Sequence, residues 1–169
     1  MKQPYWQGQL DSFCSAYSLV NASKIVNNLS VAETQNLFDE TVRFLSKKKK
    51  LAETLIGGVR HKDMLQMMRG IVGDRFQWKT SGYGFQNIST WWDFAETFLK
   101  ESNNSAIIVS FGGAQDHLSV IKSMTDKTMV LFDSSQIRNI RKSSCRLVGY
   151  PKNDRYIIYP SQSFLCWKD

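Results

Sequence analysis

The chain has 169 residues, close to the usual size of one domain, and a domain of about 150 residues buries roughly 70% of its unfolded surface. A hydrophobic fraction of 42% with 12% aromatics excludes a disordered chain, while ten glycines and three prolines exclude fibrous and linker-like architectures. Lysine and arginine number 22 against 15 acidic side chains, a net charge of +7 that favours loose attraction to acidic partners and says nothing of the fold.

The stretch from Met1 to Gln9 has no apolar region of the secretory kind, and no apolar run approaches the roughly 18 residues that span a bilayer. A cytoplasmic chain is expected, or one exported without a conventional signal peptide. Ala16, Leu19, Val20, Ala22, Ile25, Val26 and Leu29 recur at helical spacing, which predicts a helix over 13–29. Asp11 and Ser12 stand ahead of it as natural N-cap residues. A second helix is predicted over 31–48, capped by Ser30 and closed by lysines 47–50, whose charge suits the C-terminal end of the macrodipole. Gly57-Gly58 breaks the chain. Further helices are predicted over 61–72 and 88–100.

From residue 105 the period changes. Residues 105–111 read as a buried strand, Gly112-Gly113 as a turn, and 117–124 as a second strand. Thr125-Asp126-Lys127 is a short hairpin loop leading to a third strand over 128–133. A fourth is predicted over 155–159, stopped by Pro160, and a weaker strand pattern covers 75–79. Helices first and antiparallel strands afterwards make a single α+β domain over 1–169.

Chemistry concentrates at three places. Cys14 opens the best amphipathic helix, directly after the polar loop Gln7-Gly8-Gln9-Leu10-Asp11-Ser12. A free thiol of pKa ~8.5 is only about 3% thiolate at pH 7, and a helix N-terminus and a neighbouring imidazolium both favour the anion. A glutamine just upstream offers a side-chain N–H beside the Cys14 backbone N–H, and together they would make an oxyanion hole. The plainer alternative is a small apolar residue on a core face. His117 opens the second strand and Asp133 closes the third. Taken singly, such a histidine is more often a surface or satisfied core residue, and such an aspartate a turn former. Taken together, they stand sixteen residues apart across the hairpin turned at 125–127. The start of one strand then meets the end of its partner, and a carboxylate can orient an imidazole.

The three cysteines, Cys14, Cys145 and Cys166, are widely spaced without a CxxC, and the histidines are only two, His61 and His117. That pattern argues against a disulfide framework and a Cys/His metal cage. With no P-loop or dinucleotide fingerprint either, no metal or cofactor is expected.

The order of these blocks resembles the papain-like cysteine peptidase superfamily and, within it, the compact bacterial C39-like peptidases. Gln7 to Ser18 is similar to their glutamine followed by a Cys-Gly/Ser-x-x-Ser/Ala helix start. His117-Leu118-Ser119-Val120 is similar to their His-x-x-Val strand, and Leu131-Phe132-Asp133-Ser134 to the turn after the next strand. The resemblance implies a papain-like fold, an N-terminal helical part with the nucleophile at a helix start packed on a C-terminal antiparallel sheet. It implies Cys14 as nucleophile, His117 as general base and acid, Asp133 as orienting residue and a glutamine as oxyanion donor. Ser15 stands where the family commonly has glycine, and Ser134 where it has proline. The family position of the glutamine is Gly8 here, flanked by Gln7 and Gln9, and the recurrent Gln-Gly order favours Gln7. None of these departures removes a catalytic group.

The expected function is a cysteine peptidase acting on a protein or peptide substrate, its compact size fitting a bacterial effector or toxin. A second reading is a deamidase, transglutaminase or amidase using the same thioester. A third is a basic binding module in which Cys14 and His117 are incidental. Lysines 47–50 fit a solvated helix end better than a nucleic-acid or lipid dock. Phe76, Trp78, Tyr83 and Phe85 mix with basic residues as stacking platforms do, but no nucleic-acid motif accompanies them, so nucleic acid is not an expected partner. In a peptidase that segment, with Trp91 and Trp92, is a candidate wall for substrate subsites.

Overall fold

The computed structural model describes residues 3–8, 11–113, 116–147 and 156–168. Helices α1 (Cys14–Val26) and α2 (Val31–Lys47) form where the apolar periodicity places them. A Ser30–Glu33 capping box fixes the start of α2, the Ser30 N–H donating to the Glu33 carboxylate at 2.8 Å. The start of α1 differs from expectation: its N-cap is Phe13, with no side-chain cap. Both polar residues ahead of it are engaged elsewhere. Asp11 accepts from the N–H groups of Gly8 at 2.8 Å and Phe13 at 3.0 Å, bracing the loop one step before the helix. Ser12 donates through its N–H to the Leu55 carbonyl at 2.8 Å and through its hydroxyl to that of Ile56 at 3.1 Å. Those carbonyls lie in the last turn of α3 (Leu51–Gly57), an additional helix beyond the four expected. Ser12 thus satisfies acceptors that a helix end leaves without intrahelical donors.

The helix expected over 61–72 is α4 (His61–Met67) continued by a π-helical turn, Met68–Val72. Gly70 occupies that turn because the Phe44 ring of α2 lies against it, where a Cβ would collide. Strand β1 (Gln77–Thr80) precedes α5 (Ile88–Glu101), whose start Asn87 caps by accepting from the Thr90 N–H at 3.0 Å. Then come β2 (Ser105–Gly113), β3 (His117–Met124), β4 (Thr128–Leu131), β5 (Asn139–Arg141), β6 (Cys145–Leu147), β7 (Tyr156–Ile158) and β8 (Phe164–Trp167). Strands β5, β6 and β8 are additions to the expected set. The third expected strand ends at Leu131, which leaves Asp133 in the following turn, and Arg155 lies outside the described residues.

Among the described residues the strands make one sheet of eight, with main order β1-β8-β2-β3-β4-β5. Strand β7 pairs with β2 beyond the end of β8 and, in the one parallel pairing, with β6. Both faces of the sheet are covered. Ala106 and Ile108 of β2, with Phe164 and Cys166 of β8, join a core built on α1, α2 and α4. Ile107, Val109 and Phe111 point the other way, into a second core with Trp91, Trp92 and Ala95 of α5. The helical part therefore does not sit wholly on one side. A strand apolar on both faces needs cover on both, and α5 supplies the second layer.

Candidate active site

Cys14 is the first residue of α1, and its N–H is one of the donors that a helix start leaves without an intrahelical acceptor. One turn later, the Ser18 hydroxyl donates to the Leu118 carbonyl at 2.8 Å. This bond joins residues a hundred positions apart and ties α1 to β3 beside Cys14 on one element and His117 on the other. Two turns beyond Cys14, Asn21 of α1 clasps the backbone of Tyr5, accepting from its N–H at 2.9 Å and donating to its carbonyl at 3.2 Å.

His117 and Asp133 meet as expected, though not as direct opposites. The Ile121–Leu131 register, continued two residues, places Asp133 level with Ser119 and one diagonal step from His117. The His117 Nε2 to Asp133 Oδ2 distance is 2.7 Å, and both side chains are buried. The other carboxylate oxygen, Oδ1, accepts from the N–H groups of Ser135 at 2.7 Å and Ile137 at 3.1 Å. Asp133 is therefore a turn former and an imidazole partner at once.

Burial opposes a charge on His117, yet hydrogen bonds and charge from Asp133 and Cys14 lift its pKa to about 9. For Asp133 burial pushes the carboxyl up, but its contact with His117, aided by Ser119 and by the hydrogen bond from the Ile137 N–H, outweighs that, so the net shift is downward. Cys14 lines the same cleft as His117 and is among the groups that raise the imidazole's pKa. Since Nε2 is held by Asp133, Nδ1 is the ring nitrogen left for the sulfur. The other two thiols are different in kind. Burial pushes Cys145 up to about 12 and raises Cys166 as well, as expected of inert core cysteines.

Cys14 and His117 open onto one cleft of about 390 Å³. One wall is the loop Gly57-Gly58-Val59, which Ser12 holds against the start of α1. Gly58 has a φ of 74°, a left-handed conformation suited to glycine. The other wall carries Tyr159, whose hydroxyl end lies against Gly112 where any Cβ would strike it. His61 also lines the cleft, stacked on Phe164 with ring centroids 5.6 Å apart, and burial pushes its pKa down. Neither His61 nor Asp116 stands in a block that carries the resemblance. The only signals were the scarcity of histidine and the position of Asp116 next to His117.

No family model, curated protein or solved structure matches the chain. The site therefore stands on its own geometry. Gln7 lies in the segment between α1 and the turn that carries Asp133. Its amide nitrogen donates to the Asp11 carbonyl at 3.0 Å, its Oε1 accepts from the Ser134 hydroxyl at 3.2 Å, and its N–H donates to the Ser134 carbonyl at 3.1 Å. Ser134 thus supplies, through its hydroxyl, a donor to the Gln7 side chain. Gln9 lies outside the described residues.

Trp91 and Trp92 are not subsite walls. Both are fully buried in the core beneath α5, where Trp91 Nε1 donates to Ser81 at 3.1 Å and Trp92 Nε1 to the Thr125 carbonyl at 2.7 Å. Phe76, Trp78 and Phe85 pack against the cores, whereas Tyr83 is exposed. A larger hollow of about 710 Å³ lies by the start of α5, lined in part by Lys127, Arg141 and Lys142, and none of the candidate residues reaches it. Among the described residues no three His, Cys, Asp or Glu side chains gather as a metal site, and no helix is long and apolar enough to cross a membrane.

Proposed function

We propose that the chain is a papain-like cysteine peptidase, a thiol hydrolase that cleaves an amide bond through a Cys14 thioester. The observation that carries this reading is the shared cleft of Cys14 and His117, with the imidazole held by buried Asp133 and its pKa lifted to about 9. A histidine protonated at neutral pH beside a cysteine at a helix start is the arrangement that favours a nucleophilic sulfur.

In the first half-reaction the Cys14 sulfur attacks the carbonyl carbon, forming a C–S bond while the carbonyl electron pair moves to oxygen. The Cys14 N–H and the remaining N–H of the Gln7 amide stabilise that oxyanion. The C–N bond then breaks as His117 passes its proton to the leaving amine. In the second, water gives a proton to His117 and its oxygen to the acyl carbon. The C–S bond breaks, releasing the acid and restoring the thiol–imidazole pair. Asp133 acts by holding the ring and stabilising its cationic form.

The test is the pH dependence of iodoacetamide alkylation, read at each cysteine by mass spectrometry in wild type and His117→Ala. Cys14 is expected to react well below pH 7 in wild type only, with Cys145 and Cys166 as unreactive references. A Cys14 that behaves as an ordinary thiol, or stays inert in both proteins, overturns the reading.

A further inference from the structure

We infer that the cleft selects a cationic side chain, lysine or arginine, beside the bond it cuts, with Asp116 as the counter-charge; this rests on the peptidase reading. The chain as a whole is basic, with 22 lysines and arginines against 15 acidic residues. Yet among the described residues no lysine or arginine lines the cleft. Such a chain has a general field that repels cations, so a cleft lined by no described lysine or arginine stands apart from the rest of the surface.

The charges inside the cleft sum in one direction. The His117 cation is matched by Asp133 at 2.7 Å. Burial disfavours the charged form of His61, which therefore adds no opposing positive charge at neutral pH. Asp116 is the carboxylate that remains. It is exposed, it lines the same cleft as Cys14, and it has no ion pair or hydrogen bond among the described residues. The neighbouring surface suits the rest of such a side chain. Val59, Met64 and Leu118 offer an apolar wall to the methylene stem, while the ammonium or guanidinium head reaches Asp116. An anionic substrate residue would meet Asp116 with no described lysine or arginine in the lining to offset it.

The experiment measures the rate at which three methanethiosulfonates of similar size modify Cys14, read by mass spectrometry at pH 7 and low salt. The 2-aminoethyl reagent is the analogue of a lysine side chain, the 2-sulfonatoethyl reagent its anionic counterpart, and the ethyl reagent the neutral reference. In wild type the cation is expected to react about tenfold faster than the anion, each normalised to the neutral reagent and to a free-cysteine peptide. In Asp116→Asn the preference should shrink to about twofold or less, and Asp116→Lys should invert it. Equal normalised rates in wild type, or a preference unchanged in Asp116→Asn, overturn the inference. Iodoacetamide on the wild type separates the two layers. If it shows no activated Cys14, the peptidase reading falls and takes this inference with it. If Cys14 is activated and the charged reagents do not differ, only the inference falls.

Discussion

Replacing Asp133 with asparagine removes one charge from the buried pair while keeping the shape of the side chain and an acceptor for Ser135 and Ile137. Burial alone would push His117 below its ordinary value, yet hydrogen bonds and charge from Asp133 and Cys14 lift it to about 9. Against ~6.5 for a free histidine, that lift is worth about 3 kcal/mol, shared between the two partners. Because the folded value lies above the unfolded one, this stabilisation is complete below pH ~6.5 and is lost as pH rises through about 9. Asp133 has the opposite sign. Its lowered carboxyl contributes above the free value of ~3.9 and loses that contribution as pH falls through the folded value. The pair is therefore strongest from weakly acid to neutral pH.

Two assays read this out. In an NMR titration of the imidazole signals, wild-type His117 is expected near pH 9, and in Asp133→Asn it should fall well below that. His61 is the only other histidine and should titrate below its ordinary value in both proteins, giving an internal reference. In urea unfolding, Asp133→Asn should cost about 1–2 kcal/mol at pH 7, its share of that lift, and less than about 1 kcal/mol at pH 10. A wild-type His117 that titrates near 6.5, or a stability difference that does not narrow with rising pH, refutes this account of the His117–Asp133 pair.

Two further outcomes separate positioning from packing. Ser18→Ala removes the 2.8 Å bond to the Leu118 carbonyl, and should cost about 1 kcal/mol in urea unfolding. It should also slow Cys14 alkylation by iodoacetamide at pH 6 more than at pH 10, because it loosens α1 against β3 rather than altering the thiol itself. Trp92→Phe loses the 2.7 Å bond to the Thr125 carbonyl and part of a fully buried ring, and should destabilise by about 1–3 kcal/mol. Its Cys14 alkylation profile should match wild type, since Trp92 lies on the face of the sheet away from α1; a changed profile would return it to the substrate cleft.

Helices α1, α2 and α5 were legible because each carries its apolar face, and α2 its Ser30 cap, within one stretch of chain. Helix α3 was not. It has seven residues beside a lysine run, and the donors to its last carbonyls come from Ser12, far away in sequence. Strand β8 carries no local signal for a related reason. Phe164-Leu165-Cys166-Trp167 is too short to show a period, and it becomes a strand by inserting between β1 and β2. The apolar run at 106–109 did hold a clue to the second layer. A strand apolar at consecutive positions is buried on both faces, and α5 is the helix that covers the second.

The candidate site divides along the same line. His117 and Asp133 could be paired from the chain alone because a hairpin makes their contact nearly local, and only the diagonal step needed the structure. The relation of Cys14 to that pair could be reached only by resemblance, since no spacing rule joins residues so far apart. In the fold it is set by polar bonds that converge on the start of α1. Ser18 ties it to Leu118 on one side, Ser12 ties it to the carbonyls of Leu55 and Ile56 on another, and Gln7 ties the preceding loop to Ser134 beyond Asp133. Bonds of this kind leave no periodic trace, because a serine or glutamine in a loop has many local partners and shows its distant one only after folding. Apolar periodicity thus accounts for the layers, while these three polar attachments determine which residues face one another across the cleft.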